Sequence, residues 1–130
     1  MVTFRQSTTT ETYGSSMSKS AEVLADLMAV IEDRKANPPA RSYTTSLFAA
    51  GVGKIGAKII EEAQEVVDAA HEADSVGHEH LTNEAADLIY HLFVMLGYRG
   101  VSLDEVSAEL QKRFGTSGLD EKAARRASTS

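Results

Sequence analysis

Cysteine is absent from the 130 residues of this chain, which excludes disulfides, thiol catalysis and cysteine-ligated zinc together. No apolar run reaches the roughly 18 residues needed to span a bilayer, and residues 1–5 lack the apolar core of a secretion signal. Basic residues are also few, with 13 Lys and Arg against 19 Asp and Glu and a net charge of −6. Nucleic-acid binding depends on basic patches. We therefore expect an unprocessed cytoplasmic protein that binds neither membrane nor nucleic acid.

Proline and strand-forming patterns are scarce as well. The chain holds only two prolines, and no segment alternates apolar and polar residues as a strand does. Apolar residues instead recur every three or four positions, which predicts helices. The predicted helices are at residues 21–35, 53–73, 79–98 and 103–114, with a short helical turn at 42–51. Because this length suits one domain, we predict an all-α, four-helix bundle-like single domain.

The two ends of the chain carry no comparable periodicity. Residues 1–20 are rich in Ser and Thr, which predicts a flexible N-terminal tail. Residues 127–130 are predicted as a second tail, so the helical domain occupies residues 21–126, with a short basic helix expected within 116–126. The third main helix is apolar nearly all round, which is more apolar surface than one small bundle hides. A homodimer follows as a hypothesis.

Two pairs of acidic residues have i, i+3 spacing on predicted helices. Glu62 and Glu65 form the first pair, and Glu84 and Asp87 form the second. Each helical residue turns the side-chain direction by about 100°, so the members of a pair project within roughly 60° of each other. Four carboxylates arranged in this way can converge on one cation.

The place of these pairs on their helices distinguishes them from solvated surface, which is the commoner meaning of acidic residues on helices. Glu62 projects at the edge of the apolar arc of its helix. Glu84 and Asp87 lie on the narrow polar stripe of a helix that is otherwise apolar. A carboxylate that faces a core is costly unless it is paired or binds metal. The sequence therefore predicts a metal site, and oxygen-only ligands favour Mg²⁺ or Mn²⁺ over zinc.

Two lysines, Lys54 and Lys58, precede the first acidic pair on the same predicted helix. A cation held by carboxylates suits polyphosphates, because it can bridge phosphate oxygens. These lysines are therefore candidate phosphate ligands. The alternative for Lys58, which its spacing favours, is a salt bridge with Glu62 at i, i+4. The glycine-rich segment 51–54 is not a P-loop, since it lacks the Gly-Lys-Ser/Thr ending.

The motifs occur in an order that resembles one enzyme family. The segments that carry the resemblance are Ser42-Tyr43-Thr44, Gly53-Lys54-Ile55, the run from Lys58 to Glu65, the run from Glu84 to Leu92, and Gly115-x-Ser117-Gly118-Leu119-x-Glu121-Lys122. Over residues 22–126 the chain resembles phosphoribosyl-ATP pyrophosphohydrolases, which belong to the all-α NTP pyrophosphohydrolase superfamily. The acidic pattern is common to the superfamily. The Ser-Tyr-Thr, Leu-Ile-Tyr-His and Ser-Gly-Leu-x-Glu-Lys segments point to this family within it.

The resemblance implies a reaction and a set of roles. The reaction is Mg²⁺-dependent hydrolysis of 1-(5-phosphoribosyl)-ATP to 1-(5-phosphoribosyl)-AMP and pyrophosphate, the second step of histidine biosynthesis. The implied metal ligands are Glu62, Glu65, Glu84 and Asp87. Glu61 and Glu62 are the implied catalytic residues, with Glu61 orienting or deprotonating the attacking water or reaching a second ion. A separate phosphoribosyl-AMP cyclohydrolase, which would take the next step, is an implied partner.

Three further residues are candidates for binding substrate. Ser42 and Tyr43 could contact ribose or phosphate, although an N-capping Ser and a packed Tyr account for them nearly as well. His91 follows Asp87 by one turn, where it either holds a carboxylate or phosphate or is a core histidine satisfied by a neighbour. The sequence leaves both interpretations open. No role is assigned to the histidines of the predicted polar turn, which are His71, His78 and His80.

Two rival functions would use the same acidic residues. A house-cleaning pyrophosphohydrolase would apply them to non-canonical or excess nucleoside triphosphates. A non-enzymatic helical metal-binding or interaction module would use them as ligands or as surface. Ferritin-like metal bundles use Glu-x-x-His pairs, which neither acidic pair provides.

Two residues, Ile60 and Gln64, depart from the pattern of the family that the chain resembles. Both departures leave the acidic positions intact.

Overall fold

The computed structural model describes residues 18–114 of the chain. They form five α-helices, which are α1 Lys19–Ala36, α2 Tyr43–Ala50, α3 Val52–Ala70, α4 Asp74–Arg99 and α5 Leu103–Arg113. No strand occurs among these residues, which confirms the all-α class. Most of the predicted N-terminal tail, the predicted basic helix within 116–126 and the segment from Gly115 to Lys122 lie outside the described residues.

The chain divides into two compact units, one through Gly100 and one from Val101 onward. The described part of the first unit contains α1 to α4, and that of the second contains α5. Helix α5 begins with a capping box: the Ser102 side chain accepts from the Glu105 backbone N–H, and the Glu105 side chain accepts from the Ser102 N–H. This reciprocal pair satisfies two N–H groups that the first turn of a helix leaves without partners.

The helix boundaries differ from the predicted ones in two main places. Helix α2 is a full eight-residue helix rather than a short turn. Helix α4 begins at Asp74 rather than near residue 79, so the predicted polar turn is confined to residues 71–73. The residues after Asp74 are polar and show no apolar repeat, which is why periodicity missed this first turn. Although α4 has 26 residues, none of the described helices is long and apolar enough to cross a membrane.

All four helices of the first unit contribute to its core. Helices α3 and α4 form the most extensive helix pair, and α1 also packs on α4. The buried apolar side chains are Met28, Ile31, Leu47, Ile55, Ala69, Phe93 and Val94. Gly97 lets α1 approach α4 closely, because a Cβ at this position would lie 3.1 Å from Ile31 Cγ2. This packing holds together the two helices that carry the acidic pairs.

Polar contacts fix the ends of the helices. Ser18 and Ser42 act as N-caps of α1 and α2, each accepting a backbone N–H from the first helical turn. At the C-terminal end of α4, Lys35 Nζ donates to the carbonyls of Gly97 at 2.8 Å and Tyr98 at 3.1 Å. A cation at a helix C-terminus stabilises carbonyls that have no partner within the helix. The contact also ties α1 to the end of α4.

Gly77 provides a test of the turn between α3 and α4. A Cβ at Gly77 would lie 2.4 Å from the Glu72 carbonyl oxygen, whereas a Cβ at Gly53 has nothing within 4 Å. We expect Gly77→Ala to lower the free energy of unfolding by about 1–3 kcal/mol, measured by urea denaturation. Gly53→Ala is the matched control and should leave stability unchanged or raise it by up to about 1 kcal/mol. Equal stability of the two variants would contradict this account of the turn.

Candidate metal centre

Three carboxylates from the two acidic pairs meet between α3 and α4. Glu62 of α3 and Glu84 and Asp87 of α4 each offer an oxygen, and these oxygens lie within 4.8 Å of one another. We call these three residues the carboxylate cage. Glu84 and Asp87 share one face of α4 because of their i, i+3 spacing, and Glu62 reaches them because α3 packs along α4.

The cage contains carboxylate oxygens without hydrogen-bond partners. Glu62 is only 5% exposed, and the Oε2 atoms of Glu62 and Glu84 are buried without a hydrogen-bond partner in the described structure. A buried carboxylate oxygen without a donor or cation is costly. Such orphaned oxygens fit a bound cation, because the cation would supply the missing partner for each of them.

The electrostatics of the cage agree with this fit. The pKa of Glu84 is raised from 4.5 to about 7. The largest cause is the hydrogen bond with the neighbouring Glu65 carboxyl, and burial and Glu62 add to it. Burial, together with Glu65 and more weakly Asp87, also raises the pKa of Glu62. Close carboxylates resist simultaneous ionisation unless a proton or a cation intervenes. Glu65 therefore acts on the cage, although it is not among the three residues whose oxygens converge.

Of the two lysines predicted to bind phosphate, Lys58 is the one with a described contact to a cage residue. Its Nζ lies 3.3 Å from Glu61 Oε2 and 3.7 Å from Glu62 Oε1, so the predicted i, i+4 salt bridge with Glu62 is present. The hydrogen bond to Glu61 raises the pKa of Lys58, which keeps its ammonium charged. Lys54 is exposed and makes no ion pair within residues 18–114.

A hydrogen bond joins His91 to Tyr43 near the cage. His91 is 5% exposed, and its Nδ1 lies 2.9 Å from the Asp87 carbonyl oxygen. Its Nε2 lies 3.0 Å from the Tyr43 hydroxyl. Both ring nitrogens therefore have partners within the protein, which favours the interpretation of His91 as a core histidine satisfied by its neighbours.

Ser42 has a local partner that accounts for it. Its Oγ accepts the Thr45 backbone N–H at 3.3 Å, as the N-cap of α2 does. This is the capping alternative that the sequence left open, and it brings Tyr43 to the start of α2. The next residue, Thr44, is buried and bonds through Oγ1 to the Tyr90 hydroxyl.

Sequence reasoning missed several contacts around this site. Thr44 and Tyr90 lie on different helices, so no spacing along the chain signals their hydrogen bond. His80, which was assigned no role, lies with Nδ1 2.8 Å from Glu72 Oε1. His80 and Glu72 border an open cavity of about 270 Å³ beside the cage. Its lining residues are Glu65, Asp68, Ala69, Glu72, His80 and Glu84.

The fold and the cage define an all-α protein with an acidic cluster that could hold a metal ion. Comparisons with known proteins give the family. The model of the family described as phosphoribosyl-ATP pyrophosphohydrolase matches residues 24–114. The chain belongs to this family, which confirms the resemblance found in the sequence.

Individual relatives agree with the family match. A protein of Rhodopirellula baltica named phosphoribosyl-ATP pyrophosphatase is 50% identical over 109 residues, which cover 84% of this chain and 91% of the relative. A protein of the same name from Rhodobacter capsulatus is 52% identical over 102 residues, covering 78% of this chain and 96% of the relative. A third protein of this name, from Methylobacterium radiotolerans, is 49% identical over 106 residues, which cover 82% of this chain and 96% of the relative.

The raised pKa of Glu84 predicts how the metal-free protein responds to pH. The folded state holds its proton up to about pH 7, whereas the ordinary pKa is 4.5. Folding therefore binds a proton in this window, and the free energy of unfolding should fall as pH rises from 4.5 through about 7. Urea denaturation in the presence of a chelator measures this slope. Glu84→Gln, which cannot titrate, should show a shallower slope, and identical slopes would contradict the assignment.

Proposed function

We propose that this protein hydrolyses 1-(5-phosphoribosyl)-ATP to 1-(5-phosphoribosyl)-AMP and pyrophosphate with Mg²⁺, as the second step of histidine biosynthesis in the cytoplasm. The observation that carries the proposal is the carboxylate cage, with its orphaned Glu62 and Glu84 oxygens, in a chain of this family. The relatives named phosphoribosyl-ATP pyrophosphatase support the choice of substrate.

The three cage residues would hold the metal, with Glu65 as the fourth ligand. Mn²⁺ could replace Mg²⁺, because both are served by oxygen ligands. When bound, such an ion would neutralise the negative charge that develops on the phosphate during displacement at phosphorus. The raised pKa values of Glu62 and Glu84 support a divalent ion, since its charge offsets the repulsion among several carboxylates.

The remaining polar groups would bind substrate and position water. Lys58, held between Glu61 and Glu62, presents a permanently charged ammonium to a phosphate oxygen. Glu61 has a side chain that is 53% exposed, so it can accept a hydrogen bond from the attacking water and take its proton. Lys54 is exposed and is free to reach an outer phosphate. Ser42 stays a predicted ribose or phosphate contact.

A homodimer is part of the proposal. Ile60 and Val67, two turns apart on α3, are 73% and 51% exposed, and exposed apolar patches mark interaction surfaces. A second copy of the chain would cover this face. We expect Ile60→Glu to lower the sedimentation coefficient from that of a dimer to that of a monomer, and an unchanged value would refute this interface. Association with phosphoribosyl-AMP cyclohydrolase stays a prediction.

The substrate is tested by pyrophosphate release. Phosphoribosyl-ATP should be hydrolysed with a kcat/KM far above the values for ordinary and modified nucleoside triphosphates measured beside it. Release from the panel alone would retain the cage chemistry and transfer the function to nucleotide-pool cleaning. Release from none of the compounds would leave the non-enzymatic metal-binding or interaction module.

The role of the cage is tested by removing one charge at a time. We expect Glu62→Gln and Asp87→Asn each to lower turnover by on the order of 100-fold or more, because charge stabilisation at the phosphates is lost. Circular dichroism should show a retained helical fold. Asp26→Asn, at an exposed position on α1, is the matched control and should retain full turnover.

Thermal denaturation separates metal binding from turnover in the same variants. Mg²⁺ should raise the Tm of the wild-type protein, since a ligand of the folded state alone stabilises it. The increase should be absent from Glu62→Gln and present in Asp26→Asn. Wild-type turnover in Glu62→Gln, or a wild-type protein that is indifferent to Mg²⁺, would overturn the metal assignment.

A further inference from the structure

Two hydrogen bonds in series connect the backbone of a cage residue to an exposed tyrosine. The first joins His91 Nδ1 to the Asp87 carbonyl oxygen at 2.9 Å, and the second joins His91 Nε2 to the Tyr43 hydroxyl at 3.0 Å. The ring between them is buried, with 5% exposure. This pair of bonds links α2 to the turn of α4 that carries Asp87.

The direction of both bonds follows from their chemistry. A backbone carbonyl can only accept, so His91 Nδ1 carries a proton, and a ring with a single proton has it there. Nε2 then has a lone pair and accepts the proton of the Tyr43 hydroxyl. Because the hydroxyl proton of Tyr43 is used in the bond to His91, its oxygen can only accept a hydrogen bond from any further group.

Contacts with aromatic neighbours fix the orientation of the Tyr43 phenol ring. The ring stacks on Tyr90 with centroids 6.2 Å apart, and the Tyr90 hydroxyl is itself bonded to Thr44. Tyr43 nevertheless remains 50% exposed. Burial raises the pKa of Tyr43 despite the opposing charge of Lys58, and Glu62 and Glu61 add to the increase. The Tyr43 hydroxyl therefore keeps its proton. It also lies close enough to Lys58, Glu61 and Glu62 for their charges to affect its pKa.

We propose that the Tyr43 oxygen is an acceptor-only contact beside the carboxylate cage, which binds an O–H donor, and that His91 is the positioning residue that imposes this polarity. The donor is either the attacking water or a sugar hydroxyl of the substrate, which rests on the proposed function. A phosphate oxygen is excluded, because it also has only lone pairs to offer. The contact would therefore sort the incoming groups, with hydroxyls at Tyr43 and phosphates at Lys58.

The polarity of the bonds is tested by ¹⁵N NMR of the histidine rings in the full-length protein at pH 8. The His91 signals are assigned by their disappearance in His91→Asn. We expect a protonated Nδ1 and an unprotonated Nε2 that is hydrogen-bonded, with its shift altered in Tyr43→Phe. A protonated Nε2, in either the other tautomer or a doubly protonated ring, would overturn the proposal. This measurement requires no activity.

The donor is identified by steady-state kinetics of pyrophosphate release from phosphoribosyl-ATP. Tyr43→Phe keeps the stacked ring and removes the oxygen, and we expect kcat/KM to fall by about fivefold, the usual effect of one neutral hydrogen bond. A loss confined to KM assigns the donor to a sugar hydroxyl, and a loss in kcat assigns it to the attacking water. Both results support the proposal. A kcat/KM within twofold of the wild-type value would refute it.

Two variants separate this contact from a merely structural role. Tyr98→Phe removes a hydroxyl from another tyrosine of the same unit and should leave kcat/KM unchanged. The double variant Tyr43→Phe with His91→Asn should lose no more activity than the more impaired single variant, because both substitutions break one chain of contacts. If the wild-type protein releases no pyrophosphate, the proposed function fails, while the NMR measurement still decides the polarity of the bonds.

Discussion

The mutual repulsion of carboxylates between α3 and α4 is the constraint on which the site depends. Glu62 is almost completely buried, and its oxygens converge with those of Glu84 and Asp87. Asp87 is exposed to water, but one oxygen of Glu62 and one of Glu84 are buried without a hydrogen-bond donor in the described structure. A proton or a cation must compensate them. The raised pKa values of Glu62 and Glu84 express the same cost in the absence of a metal.

The rest of the first unit holds these charges in place. The apolar faces of α3 and α4 pack along each other, and Lys35 ties α1 to the last carbonyls of α4. Lys58 neutralises part of the charge of Glu61 and Glu62. His91 joins the Asp87 backbone to Tyr43. The cage thus has a cation of α3 and a hydrogen-bonded pair between α4 and α2 as neighbours.

Much of this arrangement could be predicted from the sequence, because it rests on helical periodicity. The i, i+3 spacing placed Glu84 and Asp87 on one face, and the apolar arc of α3 placed Glu62 toward the core. The contacts between helices could not be predicted in this way. The Tyr43–His91 bond depends on how α2 lies across α4, and the convergence of Glu62 with the α4 pair depends on the rotation of α3. Periodicity along one helix contains neither quantity.

The start of α4 shows the same limit at the local level. Its first turn is polar and lacks an apolar repeat, so the sequence indicated a turn, whereas the close approach of Gly77 to the Glu72 carbonyl allows the helix to begin at Asp74. Glu65 was grouped with Glu62 by spacing alone. In the structure its carboxyl acts on Glu84 without joining the three convergent oxygens.

The central claim is that the cage residues bind a divalent cation together, and anomalous diffraction from crystals grown with Mn²⁺ tests it most directly. The account predicts an anomalous peak at metal–oxygen bonding distance from carboxylate oxygens of Glu62, Glu84 and Asp87, and its absence from crystals of Glu62→Gln. A cage without a peak at saturating Mn²⁺, or a peak bound only by other residues, would contradict the account.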